Sequence, residues 1–138
     1  MAGTFQLQIV TPEREVFNAP VESATLPGTE GSFGVLRGHA PLIAALEPGG
    51  VEIVDVDGAR STMAIGGGFF QVSDNVAMVL ADSAEFAQDI NIERAREAES
   101  RAQSRISGQG DAGFQLQRDR AEAALKRARV RQRIASGR

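Results

Sequence analysis

Leu26-Pro-Gly-Thr-Glu-Gly-Ser-Phe-Gly-Val-Leu-Arg-Gly-His-Ala-Pro-Leu-Ile-Ala-Ala-Leu-Glu-Pro-Gly-Gly50 is the stretch on which the reading of this chain turns. Glycines at 28, 31, 34, 38, 49 and 50 and prolines at 27, 41 and 48 cut it into short apolar pieces, Phe33–Leu36 and Leu42–Leu46. Glycine reaches φ > 0 at low steric cost and proline fixes φ near −65°, so such punctuation predicts two brief strands joined by tight loops. It places a surface; it supplies neither a nucleophile nor metal ligands.

Strand signals continue on both sides. Phe5, Leu7 and Ile9 alternate with Thr4, Gln6 and Gln8, the period of a half-buried strand. Val51–Val56 and Ala59–Ile65 flank Asp57-Gly58, a two-residue hairpin signal. Gly66-Gly67-Gly68 predicts a bulge or a close backbone approach before Phe69–Val72, and Ser73-Asp74-Asn75 turns the chain into Val76–Leu80. Eight or more short strands predict an antiparallel β-sandwich or flattened barrel, with six of the seven phenylalanines inside it.

From about Ser83 the composition changes to Ala, Glu, Gln and Arg, which favour helix. Ile92, Ala95, Ala98 or Glu99, Ala102 and Ile106 recur at helical spacing. Ser107–Gly110 stops that helix, and Asp111 is the expected N-cap of a second. Its apolar stripe runs through Ala121, Ala124 or Leu125, Ala128 and Ile134. The fold class is therefore α+β: a β-sandwich over residues 1–86, then an antiparallel two-helix hairpin over 87–138. Residues 89–138 carry only eight large apolar side chains, too few to offset the ordering of 50 backbones unless the hairpin docks elsewhere. It is expected to be detachable, with local stability below that of the β half.

Composition narrows the function. The 138 residues include no cysteine, which excludes disulfides and thiolate metal sites. No apolar run approaches the ~20 residues of a membrane helix, and no basic-then-apolar leader opens the chain, so any membrane contact is expected through a partner. The net charge of −3 is unevenly spread. Residues 1–88 hold 3 basic and 11 acidic side chains, and residues 118–138 hold 8 and 2. An acidic body with a basic end implies two surfaces for different partners. The acidic body, with no Trp or Tyr, opposes nucleic acid. His39 is the sole histidine, and no nucleophile-elbow pattern accompanies it, so it reads as a loop-ordering residue and not a catalyst. Gly66–Gly68 lacks the Gly-Lys-Ser/Thr ending of a phosphate loop.

Leu26–Leu42, Ile65–Val72, Val79–Asp82, Asp89–Ala95 and Ala124–Ala128, in this order and separation, closely resemble the epsilon subunit of bacterial F-type ATP synthases. The resemblance covers essentially the whole chain. It implies a non-catalytic rotor subunit of a proton-translocating ATP synthase, on the cytoplasmic face of the bacterial cell membrane. In that family the sandwich binds gamma and rests on the c ring, which would assign ring or gamma contact to Glu30, Ser32 and His39. Ser32 stands where an acidic residue is frequent in relatives, and Glu30 then supplies the charge. The hairpin in such proteins extends toward the alpha and beta subunits and restrains ATP hydrolysis, a role that falls on Lys126, Arg127, Arg129, Arg131 and Arg133. A family motif that binds ATP as a regulatory ligand, not a required cofactor, matches Ile90, Asn91, Arg94 and Ala95, with Glu85 and Arg101 at further contact positions. Asn91 replaces the motif's aspartate, keeping an acceptor and losing the charge. The residues leave one other reading open, a stand-alone nucleotide-sensing or adaptor module of the same fold.

Overall fold

The computed structural model describes residues 3–106 and 114–136, with side chains in the second segment from 119 onward. Seven strands come first: β1 Phe5–Val10, β2 Glu15–Gly28, β3 Gly31–Leu36, β4 Leu42–Asp55, β5 Arg60–Ser73, β6 Val76–Ala81 and β7 Ala84–Phe86. A 3-10 turn at Ala87–Asp89 leads to helices α1 Ile92–Ile106 and α2 Phe114–Ala135. The α+β order expected from the sequence is observed. The expected helix stop at Ser107–Gly110 and the N-cap at Asp111 lie outside the described residues.

The sheet closes on itself. Its order is β1-β6-β5-β4-β2, and β1 pairs again with β2, while β3 and β7 attach to β2 and β5. All pairings are antiparallel except β1 with β6, which run parallel and seal the barrel. The strands are fewer and longer than the punctuation predicted, seven among the described residues, three of them 14 residues long. β4 runs unbroken through Pro48-Gly49-Gly50, and β5 through Gly66–Gly68. The reason lies in closure. β2 passes from β1 to β3 and β4, and β5 passes from β6 to β7, so each long strand serves both layers and bends between them. Pro48-Gly49-Gly50 and Gly66–Gly68 sit at these bends and not in loops.

Gly68 shows what the bend requires. Its φ is +148°, and a Cβ there would collide with the carbonyl oxygen of Leu80. The close backbone approach expected at this triplet is present. The connection after β4 differs from a two-residue turn: Asp55 Oδ1 accepts from the N–H groups of Asp57 and Ala59, both at 2.9 Å, so Asp55 organises a longer loop. Asp74 and Asn75, with φ of 51° and 62°, form the tight turn into β6.

The barrel is filled by the alternate residues of its strands. Phe5, Leu7 and Ile9 are buried as their period implied, together with Val21, Leu26, Val35, Ile53, Met63, Phe70 and Val79. Phe33 meets Phe70 edge-on with centroids 5.5 Å apart.

Candidate functional site

Burial in β5 changes phase at the Gly66–Gly68 bend and departs from alternation again just before it. Met63, Ala64 and Ile65 are all buried, although Ala64 points out of the barrel. The cover is α2. Ala64 forms a small cluster with Ile90, Val130 and Ile134, flanked by Ala87 and Ala135. Gly50, opposite Ala64 in the sheet, leaves the gap that Ile134 enters; a Cβ there would lie 3.1 Å from Ile134 Cδ1. The hairpin seam itself is built from alanine: Ala95, Ala102, Ala121 and Ala128 are all buried. Small side chains let helices approach closely while removing little apolar area from water. The docked apolar face is therefore narrow.

Ion pairs flank this apolar strip. Lys126 Nζ lies 2.7 Å from Glu47 Oε2 on β4, and Arg129 Nε lies 2.9 Å from Glu99 Oε2 on α1. Arg131 Nε pairs with Glu85 Oε1 on β7, both half-buried. The Arg129 guanidinium holds the Glu99 carboxyl below the usual carboxylate range. Arg127 and Arg133 form no ion pair among the described residues. Three of the five cations expected to face other subunits are thus engaged within this chain. Of their partners, Glu47 was not singled out from sequence and Glu99 was read only as a helix position, because strand and helix carboxylates far apart in the chain carry no local mark of pairing.

A cleft of about 430 Å³ opens between α2, the β1–β2 turn and the segment after β6. Arg14, Asp82, Glu85, Ala98, Arg127 and Arg131 are among its lining residues. Of the six residues assigned to nucleotide by resemblance, only Glu85 lines it. Ile90 is the buried plug of the docking cluster, and Ala95 belongs to the alanine seam. Asn91 Oδ1 accepts from Arg94 N–H at 3.1 Å, capping α1. Arg94 and Arg101 are exposed and outside the cleft. The arginines that do line it, Arg14 and Arg127 beside Arg131, come from the β1–β2 turn and α2. Among the described residues no group of three or more His, Asp or Glu is placed to hold a metal ion.

Glu30, Ser32 and His39 are not gathered into one site. Glu30 shares a cleft of about 420 Å³ with Ile43 and Ala45, whereas Ser32 lines a separate cleft of about 800 Å³ beneath α2. His39 Nδ1 lies 2.6 Å from the carbonyl oxygen of Ala40, which requires the ring proton on Nδ1. The preceding Gly38 N–H donates to Asn75 Oδ1 at 2.6 Å, tying this loop to the β5–β6 turn.

On the barrel face that β4, β5 and β6 share, large apolar side chains stand in water. Ile43 is 77% exposed, Phe69 60% and Leu80 47%. Ala45, Phe69 and Leu80 are direct cross-strand neighbours, and Ile43, Gln71 and Met78 form the next row. Contiguous apolar exposure of this kind marks an interaction surface. Sequence reasoning missed it. The available signal was that Phe69 shares its face with Gln71 and Ser73, while Phe70 shares its own with Val72.

Comparison with known proteins gives two family matches in chain order. Residues 4–87 match "ATP synthase, Delta/Epsilon chain, beta-sandwich domain", and residues 88–136 match "ATP synthase, Delta/Epsilon chain, long alpha-helix domain". A protein of Symbiobacterium thermophilum called ATP synthase epsilon chain is 45% identical over 130 residues, 94% of this chain and 91% of the relative. The protein of the same name from Nitratidesulfovibrio vulgaris is 41% identical over 134 residues, 97% of each chain. Among solved structures, a chain of the Euglena gracilis mitochondrial ATP synthase superposes with a TM-score of 0.79. It is 24% identical, with 94% of this chain and 79% of that one covered, a likeness of fold alone.

Proposed function

The chain belongs to the ATP synthase delta/epsilon family, and from that premise we propose that it is a non-catalytic rotor subunit, coupling gamma to the c ring and restraining ATP hydrolysis through its helices. The observation that carries the reading is the contrast between its two parts. A closed barrel with a filled core suits a rigid grip, and a hairpin docked through a narrow apolar strip and two ion pairs suits an element that leaves. Torque passes through docked surfaces, so no bond chemistry is required of this chain.

The face of Ile43, Phe69 and Leu80 is the contact for gamma, because it presents apolar area that a rigid partner would bury. Glu30, Ser32 and His39, on the β2–β3 hairpin and the loop after β3, meet the c ring. On release, Lys126, Arg127, Arg129, Arg131 and Arg133 meet acidic groups of the catalytic alpha–beta ring. Restraint requires only that the extended form bind that ring better than the compact form does. ATP acts as a regulatory ligand in the cleft of Glu85, Arg127 and Arg131, favouring the compact form, since guanidinium groups suit phosphate. The chain sits at the cytoplasmic face of the bacterial membrane through the complex. No helix of the described residues is long and apolar enough to cross one.

Co-purification tests the grip. The tagged full chain retains gamma in stoichiometric amount, and Phe69→Glu, which places a charge on the exposed face without touching the core, reduces retention at least tenfold. A folded chain that captures no gamma contradicts the reading and favours the stand-alone module. Titration calorimetry with ATP on the full chain tests the ligand separately; no heat across millimolar ATP removes it.

A further inference from the structure

Helical spacing divides the cations of α2 into two stripes astride its apolar strip. Lys126, Arg129 and Arg133 line the larger cleft, into which Glu47 and Glu52 face from the sheet. Arg127 and Arg131 line the smaller cleft, opposite Asp82 and Glu85. One closed ion pair stands on each side between helix and barrel, Lys126 with Glu47 and Arg131 with Glu85. The acidic body and the basic end inferred from charge counting are therefore joined to each other.

We propose that Glu47 and Glu85 form a two-sided ionic latch that holds α2 on the barrel and masks its cations from acidic partners. The latch and any external carboxylates compete for the same groups, so the hairpin's release is set by the difference between two similar sets of contacts. Exposed pairs are individually weak and are screened by salt, which suits a bias that must be overcome and not a lock. The latch stands on the pairs themselves; its bearing on hydrolysis rests on the reading of the hairpin as a restraint.

Hydrogen exchange of the full chain tests it. With Glu47→Gln and Glu85→Gln together, amides of residues 119–136 exchange about two- to thirtyfold faster, the range expected for two surface pairs. The barrel strands, unchanged, show that the fold is intact. Glu52→Gln removes from the same cleft a carboxylate that closes no ion pair among the described residues, and leaves α2 exchange as it was. Raising salt from about 0.05 M to about 1 M, where the screening length falls to about 3 Å, speeds exchange in the unaltered chain and little in the double variant. Exchanging the partners, Glu47→Lys with Lys126→Glu, restores protection that either change alone removes. Unchanged α2 exchange in the double variant overturns the latch, as does an equal effect from Glu52→Gln. In the assembled complex the double variant lowers ATP hydrolysis by freeing the hairpin. If exchange responds as stated while deletion of the helices leaves hydrolysis unchanged, the latch stands and the restraint fails. If exchange does not respond while deletion raises hydrolysis, the restraint stands and the latch fails.

Discussion

Asn91 occupies the position at which the resembled motif has aspartate, and its amide oxygen caps α1 through Arg94 N–H at 3.1 Å. A cap needs an acceptor and not a charge, so the replacement preserves the helix start. Asn91→Asp is expected to leave α1 intact, while Asn91→Ala costs about 1 kcal/mol, read as faster amide exchange in residues 92–96. Glu99 gives a pH test. Its carboxyl is held low by Arg129, so the folded chain binds this proton less readily than the unfolded one. The contribution is complete above the ordinary carboxylate value of 4.5 and is lost as pH falls through the lower folded value. Helix–helix protection should accordingly fall below about pH 4.5, and Glu99→Gln should abolish that part of the dependence. Individual roles were less legible than identities. Arg94 and Ile90 were readable as members of a motif, yet one is a solvated charge and the other a buried plug. Which of Phe69 and Phe70 faces the core depends on register with Ala45 and Leu80, information that no single residue contains.

At the scale of elements, the helices were legible because their 3–4 residue period is local, and α1 spans Ile92–Ile106 as that period implied. Strand boundaries were not. Pro48-Gly49-Gly50 within β4 read as a break between strands, because local propensity is outweighed where sheet closure requires a bend, whereas Gly66–Gly68 in β5 read correctly as a close backbone approach. Docking of the hairpin was predictable as a need but not in place. The place follows from two small outward residues, Gly50 and Ala64, which admit Ile134. Truncating that side chain tests the docking. Ile134→Ala removes most of a buried apolar group and should weaken docking by about 2 kcal/mol, with amide exchange of α2 faster by roughly thirtyfold. The melting transition of the barrel should move little, since its core of Leu7, Phe70 and Val79 is untouched.

For the whole molecule, the division of charge and the division of stability follow the same boundary. The acidic barrel carries the filled core, and the basic helical end is held on it by Ile90, Val130, Ile134 and two ion pairs. A part that can leave without unfolding the rest is suited to report or to obstruct, whereas the remaining part is suited to hold. The most direct measurement is ATP hydrolysis by a complex reconstituted with the full chain or with the chain ended after Gln88. The account predicts that both chains assemble with gamma and that the shortened one raises hydrolysis severalfold. Equal hydrolysis from two fully assembled complexes would contradict it.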